Sequence, residues 1–289
     1  MLKYLDENDF FSTIMMSRGL GKLVLVVEGH DDRLVLEPHV SEKLILLAGA
    51  GGKQNVLKAA KFAHDKGFSN VRFLVDRDYD DYAVDPVLSL ENVIYTSTHD
   101  MFIDIATGNP SLLLRIIEVK TDSARRSNGG SSVPSSNDIL VSAFSLATSL
   151  AAVRIVNERR KLSLNFKDFP FGKIEPGETN VQIIAEIVIS RSNPKDRNIE
   201  DKVILSESET IRGEIDEKRA LVGDHDFFDA LAGVLRSFGI KEKGKKLQES
   251  FIIKIDCQSL VNLEWFRKLT EWGNSFGIMI FDCKNDYLQ

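Results

Sequence analysis

Four short apolar runs, separated by segments with helical spacing, restrict the fold of this chain more than any other feature. They are LVLVV (residues 23–27), KLILLA (43–48), VRFLV (71–75) and NVIYTST (92–98). A strand with one face in water alternates apolar and polar residues. A strand covered on both faces reads as a continuous β-branched or leucine-rich run, and the first three are of that kind. Between them lie HDDRLVLEPHV and KQNVLKAAKFAHDKG. The second predicts a helix with Val56, Leu57, Ala60 and Ala63 on one face and Gly67 closing its end. Alternating strand and helix predicts an α/β fold with a parallel sheet flanked by helices. Right-handed crossovers then bring the C-terminal ends of all strands to one edge.

Acidic residues occupy that edge. Glu28 follows the first run, in VVEGHDD, and Asp76 and Asp78 follow the third, in LVDRDYDD. Carboxylates converging at the mouths of buried strands repel one another unless a cation lies between them. Mg²⁺ takes oxygen ligands and keeps several waters, so a few carboxylates and a substrate phosphate suit it. Glu28, Asp76 and Asp78 are therefore expected as metal ligands and catalytic residues of phosphodiester chemistry, with Mg²⁺ as cofactor and Mn²⁺ as a substitute. Glu28 has two roles open to it, metal ligand or proton acceptor for the attacking group. Asp32 is a further candidate metal ligand, with a solvated residue in a first helical turn as the alternative. Asp100, after the fourth run, is a candidate supporting acid, and Asp80 and Asp81 extend the cluster.

The turn AGAGGKQ has the flavour of a phosphate loop, but Leu47 stands where the first glycine of that motif belongs and Gln54 where its Ser or Thr belongs. Lys53 opens a helix on the acidic edge. It is a candidate for stabilising charge on a phosphate, with a solvated helix-start lysine as the alternative. His-Asp occurs four times, at 30–31, 64–65, 99–100 and 225–226. The metal phosphohydrolases that use such pairs carry them on helices of all-α folds, and here His99-Asp100 follows a strand.

The bulk properties narrow the rest. A net charge of −6 over 289 residues gives no general affinity for nucleic acid, so any such surface is a local patch. Basic residues cluster at Arg125-Arg126, at Arg154 with Arg159-Arg160-Lys161, and at Lys241, Lys243, Lys245 and Lys246; the last group is the weakest candidate. Cys257 and Cys283 have no metal-ligand spacing and are expected as reduced thiols of a cytoplasmic protein. The N-terminus lacks the apolar stretch of a signal peptide. The apolar stretch 139–153 is shorter than the roughly 20 residues that span a bilayer, and predicts a buried helix rather than a membrane contact.

Residues 121–137, TDSARRSNGGSSVPSSN, are expected as a loop or linker. They would divide a catalytic domain, 1–120, from a mainly helical C-terminal domain, 138–289, serving substrate binding or dimerisation. Helices are predicted at 138–161, at VQIIAEIVIS, at 225–239 with Asp224 as its cap, and around NLEWFRKLTEWG. FIIKI and GIMIF are expected as strands flanking the last of these. Residues 162–220 otherwise carry turn signals and little else.

The order of strand-Glu28-Gly29, a glycine-rich turn, and strand-Asp76-Arg77-Asp78 resembles the Toprim domain. That domain is shared by type IA topoisomerases, bacterial primases and nucleases of the overcoming-lysogenisation-defect class. The resemblance implies that Glu28, Asp76 and Asp78 hold Mg²⁺. The ordered set VEGHDD, GAGGKQNV, VDRDYDD, TSTHDMF and GDHDFFDALAGVLR resembles the bacterial Toprim-like family that provides the nuclease subunit of the PARIS antiphage system. That resemblance implies an effector held inactive by a separate ABC-class ATPase, released when a phage protein is sensed, and active as a homodimer. Its implied substrate is RNA, in particular transfer RNA. A DNA-cleaving Toprim nuclease and a non-catalytic regulatory binding subunit are the alternatives. A topoisomerase or primase would need a catalytic tyrosine or further domains not recognisable here.

Overall fold

A computed structural model describes residues 7–18, 21–82, 89–127, 133–174, 181–193, 200–214 and 221–283. In chain order the elements are α1 (Glu7–Arg18), β1 (Leu23–Val27), α2 (His30–Leu36), β2 (Leu44–Ala48), α3 (Lys53–Asp65), β3 (Val71–Val75), β4 (Val93–Tyr95) and α4 (Met101–Gly108). There follow α5 (Pro110–Ser127), α6 (Ser136–Arg160), α7 (Val181–Arg191), α8 (Asp201–Glu214), α9 (Asp224–Ser237), α10 (Gly244–Ile252), α11 (Cys257–Leu260) and α12 (Glu264–Ser275). The chain forms two compact units. One holds Met1–Arg77, Val87–Gly108 and Ile255–Gln289; the other holds Asp78–Pro86 and Asn109–Lys254.

In the first unit the four strands form one sheet in the order β2-β1-β3-β4. Every neighbouring pair is parallel, with Val26 opposite Leu47 and Phe73, and Leu74 opposite Ile94. The fold class expected from the apolar runs is therefore observed, an α/β unit with a parallel sheet flanked by helices. The central strand β1 is buried along its whole length. Val24, Val26, Val71, Phe73 and Val75 pack on one face with Val56, Ala59, Ala60 and Ala63 of α3 and Ile14 of α1. The other face carries Arg72, whose guanidinium lies 5.5 Å from the Trp272 ring of α12. Trp272 Nε1 donates to the Ser69 carbonyl at 3.2 Å.

The tail therefore belongs to the sheet unit, and this corrects the expected division of the chain. Trp265 is 0% exposed and Phe266 1%, and Phe266 stacks on Phe281 at 4.1 Å. The Ser41 amide donates to the Ile280 carbonyl at 2.9 Å and the Asp282 amide to the His39 carbonyl at 2.8 Å. The two strands expected here are not formed. Most of FIIKI is the end of α10 and the turn after it. GIMIF contributes one antiparallel bridge, Phe281 to Val40. Cys257 and Cys283, expected as reduced thiols, form a disulfide with their Cα atoms 5.6 Å apart.

The second unit is built from α5 to α10. Its axis is α6, whose residues Ile139, Leu140, Ala143, Leu150 and Val153 are buried. Phe144 of α6 meets Phe227 of α9 at 4.3 Å, and Phe228 meets Phe251 of α10 at 5.6 Å. Among the described residues α6 is long and apolar enough to cross a membrane, and most of it is buried in the protein. The expected linker is shorter than 121–137. Residues 121–127 complete α5, residues 128–132 lie outside the described set, and the Ser135 side chain caps α6 by accepting from the Asp138 amide at 3.1 Å. The cap of α9 is Gly223 rather than Asp224. Asp224 instead accepts from Gln248 Nε2 at 2.6 Å, tying α9 to α10.

Candidate active site

The parallel register carries the sequence after each strand to one edge of the sheet. Glu28 leaves β1 and its Oε2 accepts from the Asp76 amide, which leaves β3, at 3.4 Å. Asp76 Oδ1 in turn accepts from the Met101 amide at 3.2 Å, at the first residue of α4. Glu28, Asp76 and the start of α4 are thus linked through one another, and both carboxylates are half-buried.

The loop after β2 comes equally close. A Cβ at Gly49 would lie 3.0 Å from the Glu28 carbonyl oxygen and 2.3 Å from Val56 Cγ2, so only glycine fits. Gly51 and Gly52 have φ of 81° and 77°, the left-handed region that glycine enters without steric cost. They turn the chain into α3, whose first residue is Lys53. Lys53 Nζ donates to the Arg77 carbonyl at 3.2 Å, placing a cation on the loop that carries Asp76.

Asp32 and Asp100 are buried acids of this edge, at 7% and 4% exposure. Asp32 Oδ2 accepts from the Gly29 amide at 2.8 Å, folding the first turn of α2 back onto the strand end. Burial pushes its pKa up to about 6, opposed by that hydrogen bond and reinforced by the negative charges of Asp100 and Asp31. Asp100 Oδ1 caps α4 by accepting from the Ile103 amide at 2.8 Å, and Oδ2 lies 3.2 Å from His99 Nδ1. Asp100 thus has a structural task, whatever else it does. Asp78 is at φ 51°, a left-handed conformation that aspartate tolerates better than most side chains, and opens the segment grouped with the helical unit. Asp80 and Asp81 continue that segment in a short 3₁₀ turn.

Two residues of this edge carry no signal in the sequence. Thr96 is fully buried; its Oγ1 accepts from the Arg77 amide at 2.9 Å and its carbonyl accepts from Arg77 Nε at 3.1 Å. Asp104 accepts from the Ser97 and Thr98 amides, each at 2.7 Å, and burial raises its pKa. Together they fix the loops after β3 and β4. A polar residue in a loop-like string such as TSTHDMFID gives no hint of such use.

The donors gathered here are carboxylate oxygens. Carboxylate oxygens are the donor type that suits a hard divalent cation. No family model matches the chain, and no curated protein matches it.

The basic clusters differ in how their side chains are paired. Arg154 makes two hydrogen bonds to Asp226, at 2.5 and 2.9 Å, and lies 4.4 Å over the Phe166 ring. Arg160 pairs with Glu207, and Arg126 with Asp122. Arg125 donates to the Pro134 carbonyl at 2.7 Å. Arg154 thus ties α6 to α9, Arg160 ties α6 to α8 and Arg125 ties α5 to the residues before α6, whereas Arg126 pairs within α5. Lys241, Lys243, Lys245 and Lys246, ranked last from the sequence, are all exposed around the start of α10.

The Asp32 shift has a testable consequence. The folded chain holds this proton more tightly than an unfolded one, whose aspartates titrate near ~3.9. The contribution of Asp32 to stability therefore falls as pH rises from ~4 to about 6, and is flat above that. Asp32→Asn keeps an oxygen for the Gly29 amide and removes the buried charge. The metal-free variant is expected to exceed the parent by on the order of 2 kcal/mol at pH 8 and to match it near pH 4. Urea unfolding at the two pH values checks this; equal stabilities at pH 8 would refute it.

Proposed function

We propose that this chain is a Toprim-like, metal-dependent endonuclease. The observation that carries the reading is the link between Glu28 and Asp76 across neighbouring parallel strands, at the edge where Asp32 and Asp100 are buried. Glu28 and Asp76 would hold a Mg²⁺ or Mn²⁺ ion, and Asp78, two residues along the chain from Asp76, is the third candidate ligand. Such an ion polarises a phosphoryl oxygen and lowers the pKa of an attacking water. Glu28 holds the ion or takes that water's proton. Lys53 steadies the loop carrying Asp76 and supplies positive charge beside the phosphate. Asp100 and Asp104 hold α4 and the loop before it in place.

The substrate and its control rest on the sequence resemblance to AriB, the PARIS effector. They are RNA, transfer RNA in particular, a homodimeric active form, and release from a separate ABC-class ATPase in antiphage defence. The helical unit would contact the substrate or the second protomer.

The test is incubation of the purified chain with total cellular RNA and with plasmid DNA, in Mg²⁺, in Mn²⁺ and in chelator. RNA cleavage that needs the metal is the expected result. Cleavage of plasmid alone would give the DNA-cleaving enzyme. No cleavage of either, by the chain alone or after mixing with and release from its ATPase, would turn the reading to a regulatory binding subunit.

A further inference from the structure

His39, Cys257 and Cys283 form a second cluster of metal-ligating groups, in the sheet unit and unconnected with the acids at the strand ends. One ligand atom from each lies within 4.8 Å of the others. His39 ends a short 3₁₀ turn between α2 and β2, Cys257 opens α11, and Cys283 follows the residues that bridge to Val40. His39 Nδ1 is 3.6 Å from Cys257 Sγ. A disulfide that only staples the tail needs no imidazole against its sulfur.

We propose that the reduced chain binds one zinc ion through the Cys257 and Cys283 thiolates and His39 Nδ1, and that the disulfide and the metal are alternative states of one site. Two sulfurs and an imidazole are the donor set of a borderline-soft ion and unsuited to Mg²⁺. The fourth position falls to solvent, since His39 and Cys257 are only half-buried.

The two states tie different parts of the protein. The disulfide joins residues 26 apart, both within the tail. The metal would also hold the His39 turn, and so clamp the tail to the segment that feeds β2. A reducing cell interior, in which disulfides do not persist, selects the metal state. Oxidation by a small-molecule disulfide reverses it. The two thiolates give up two electrons and form the S–S bond, and the ion leaves as Zn²⁺. The small disulfide takes the electrons and two solvent protons and becomes two thiols.

The experiment is a Co²⁺ titration of the full chain, reduced with a phosphine under nitrogen, beside the same chain left oxidised. Expected for the reduced chain are visible tetrahedral bands and a near-ultraviolet thiolate-to-cobalt band, saturating at one equivalent and erased by Zn²⁺. The oxidised chain should give no thiolate band. His39→Asn, which keeps both cysteines, should weaken binding at least ~10-fold. Absence of the thiolate band from the reduced chain would overturn the proposal. So would unchanged Co²⁺ affinity in His39→Asn. Cobalt on the carboxylates gives no thiolate band, so this readout does not depend on the acidic edge or on nuclease activity.

Discussion

Glu28→Gln is expected to lower metal-dependent cleavage at least ~100-fold while leaving the fold unchanged. The substitution is close to isosteric. Its amide oxygen still accepts from the Asp76 amide, now 3.4 Å from Glu28 Oε2, so the junction between β1 and β3 survives. The negative charge alone is lost, from a half-buried position at the end of a strand that is itself wholly buried. The same variant separates the two roles left open for Glu28. If the carboxylate is a ligand, raising Mg²⁺ or substituting Mn²⁺ restores part of the rate. If it accepts a proton, the rate stays low at saturating metal and the pH dependence of the parent changes shape. Cleavage at the parental rate, in a chain that unfolds at the parental temperature, would remove Glu28 from the chemistry.

The sheet is legible because its strands are covered on both sides and carry their burial in composition alone. The acids at its edge are legible for a related reason, since the continuous runs fix where each strand stops and the parallel rule fixes which edge the stops share. What stays hidden depends on long-range pairing. Thr96 and Asp104 act through backbone amides of loops, and a hydrogen bond to a backbone amide leaves no pattern in side-chain types. Helix α8 buries only Ile204, Ser208 and Ile211, a stripe too thin to stand out in a charged segment. The disulfide joins cysteines whose spacing matches no local motif. The return of the tail is hidden for the same reason. NLEWFRKLTEWG reads as an amphipathic helix whichever unit it covers, and the Ser- and Gly-rich stretch 121–137 draws the eye to a boundary that the chain later recrosses.

That recrossing gives the second large effect. A fragment ending at Lys120, the catalytic domain by sequence composition, is expected not to fold, because it lacks one cover of its sheet. In the full chain α12 supplies Trp265, Phe266, Leu269 and Trp272 as buried residues. Trp265 alone is 0% exposed, and Trp265→Ala should cost about 3–5 kcal/mol through lost burial and the cavity left behind. That is a large share of the ~5–15 kcal/mol that holds an ordinary domain together. The loss should fall on the sheet unit, because the aromatic contacts Phe144–Phe227 and Phe228–Phe251 lie wholly within the helical unit. Hydrogen exchange on Trp265→Ala resolves this. Amides of β1 and β3 should lose protection while those of α6 and α9 keep theirs. A fragment 1–120 that unfolds cooperatively with parental protection in β1 would show that the tail is an accessory to the sheet and not part of its core.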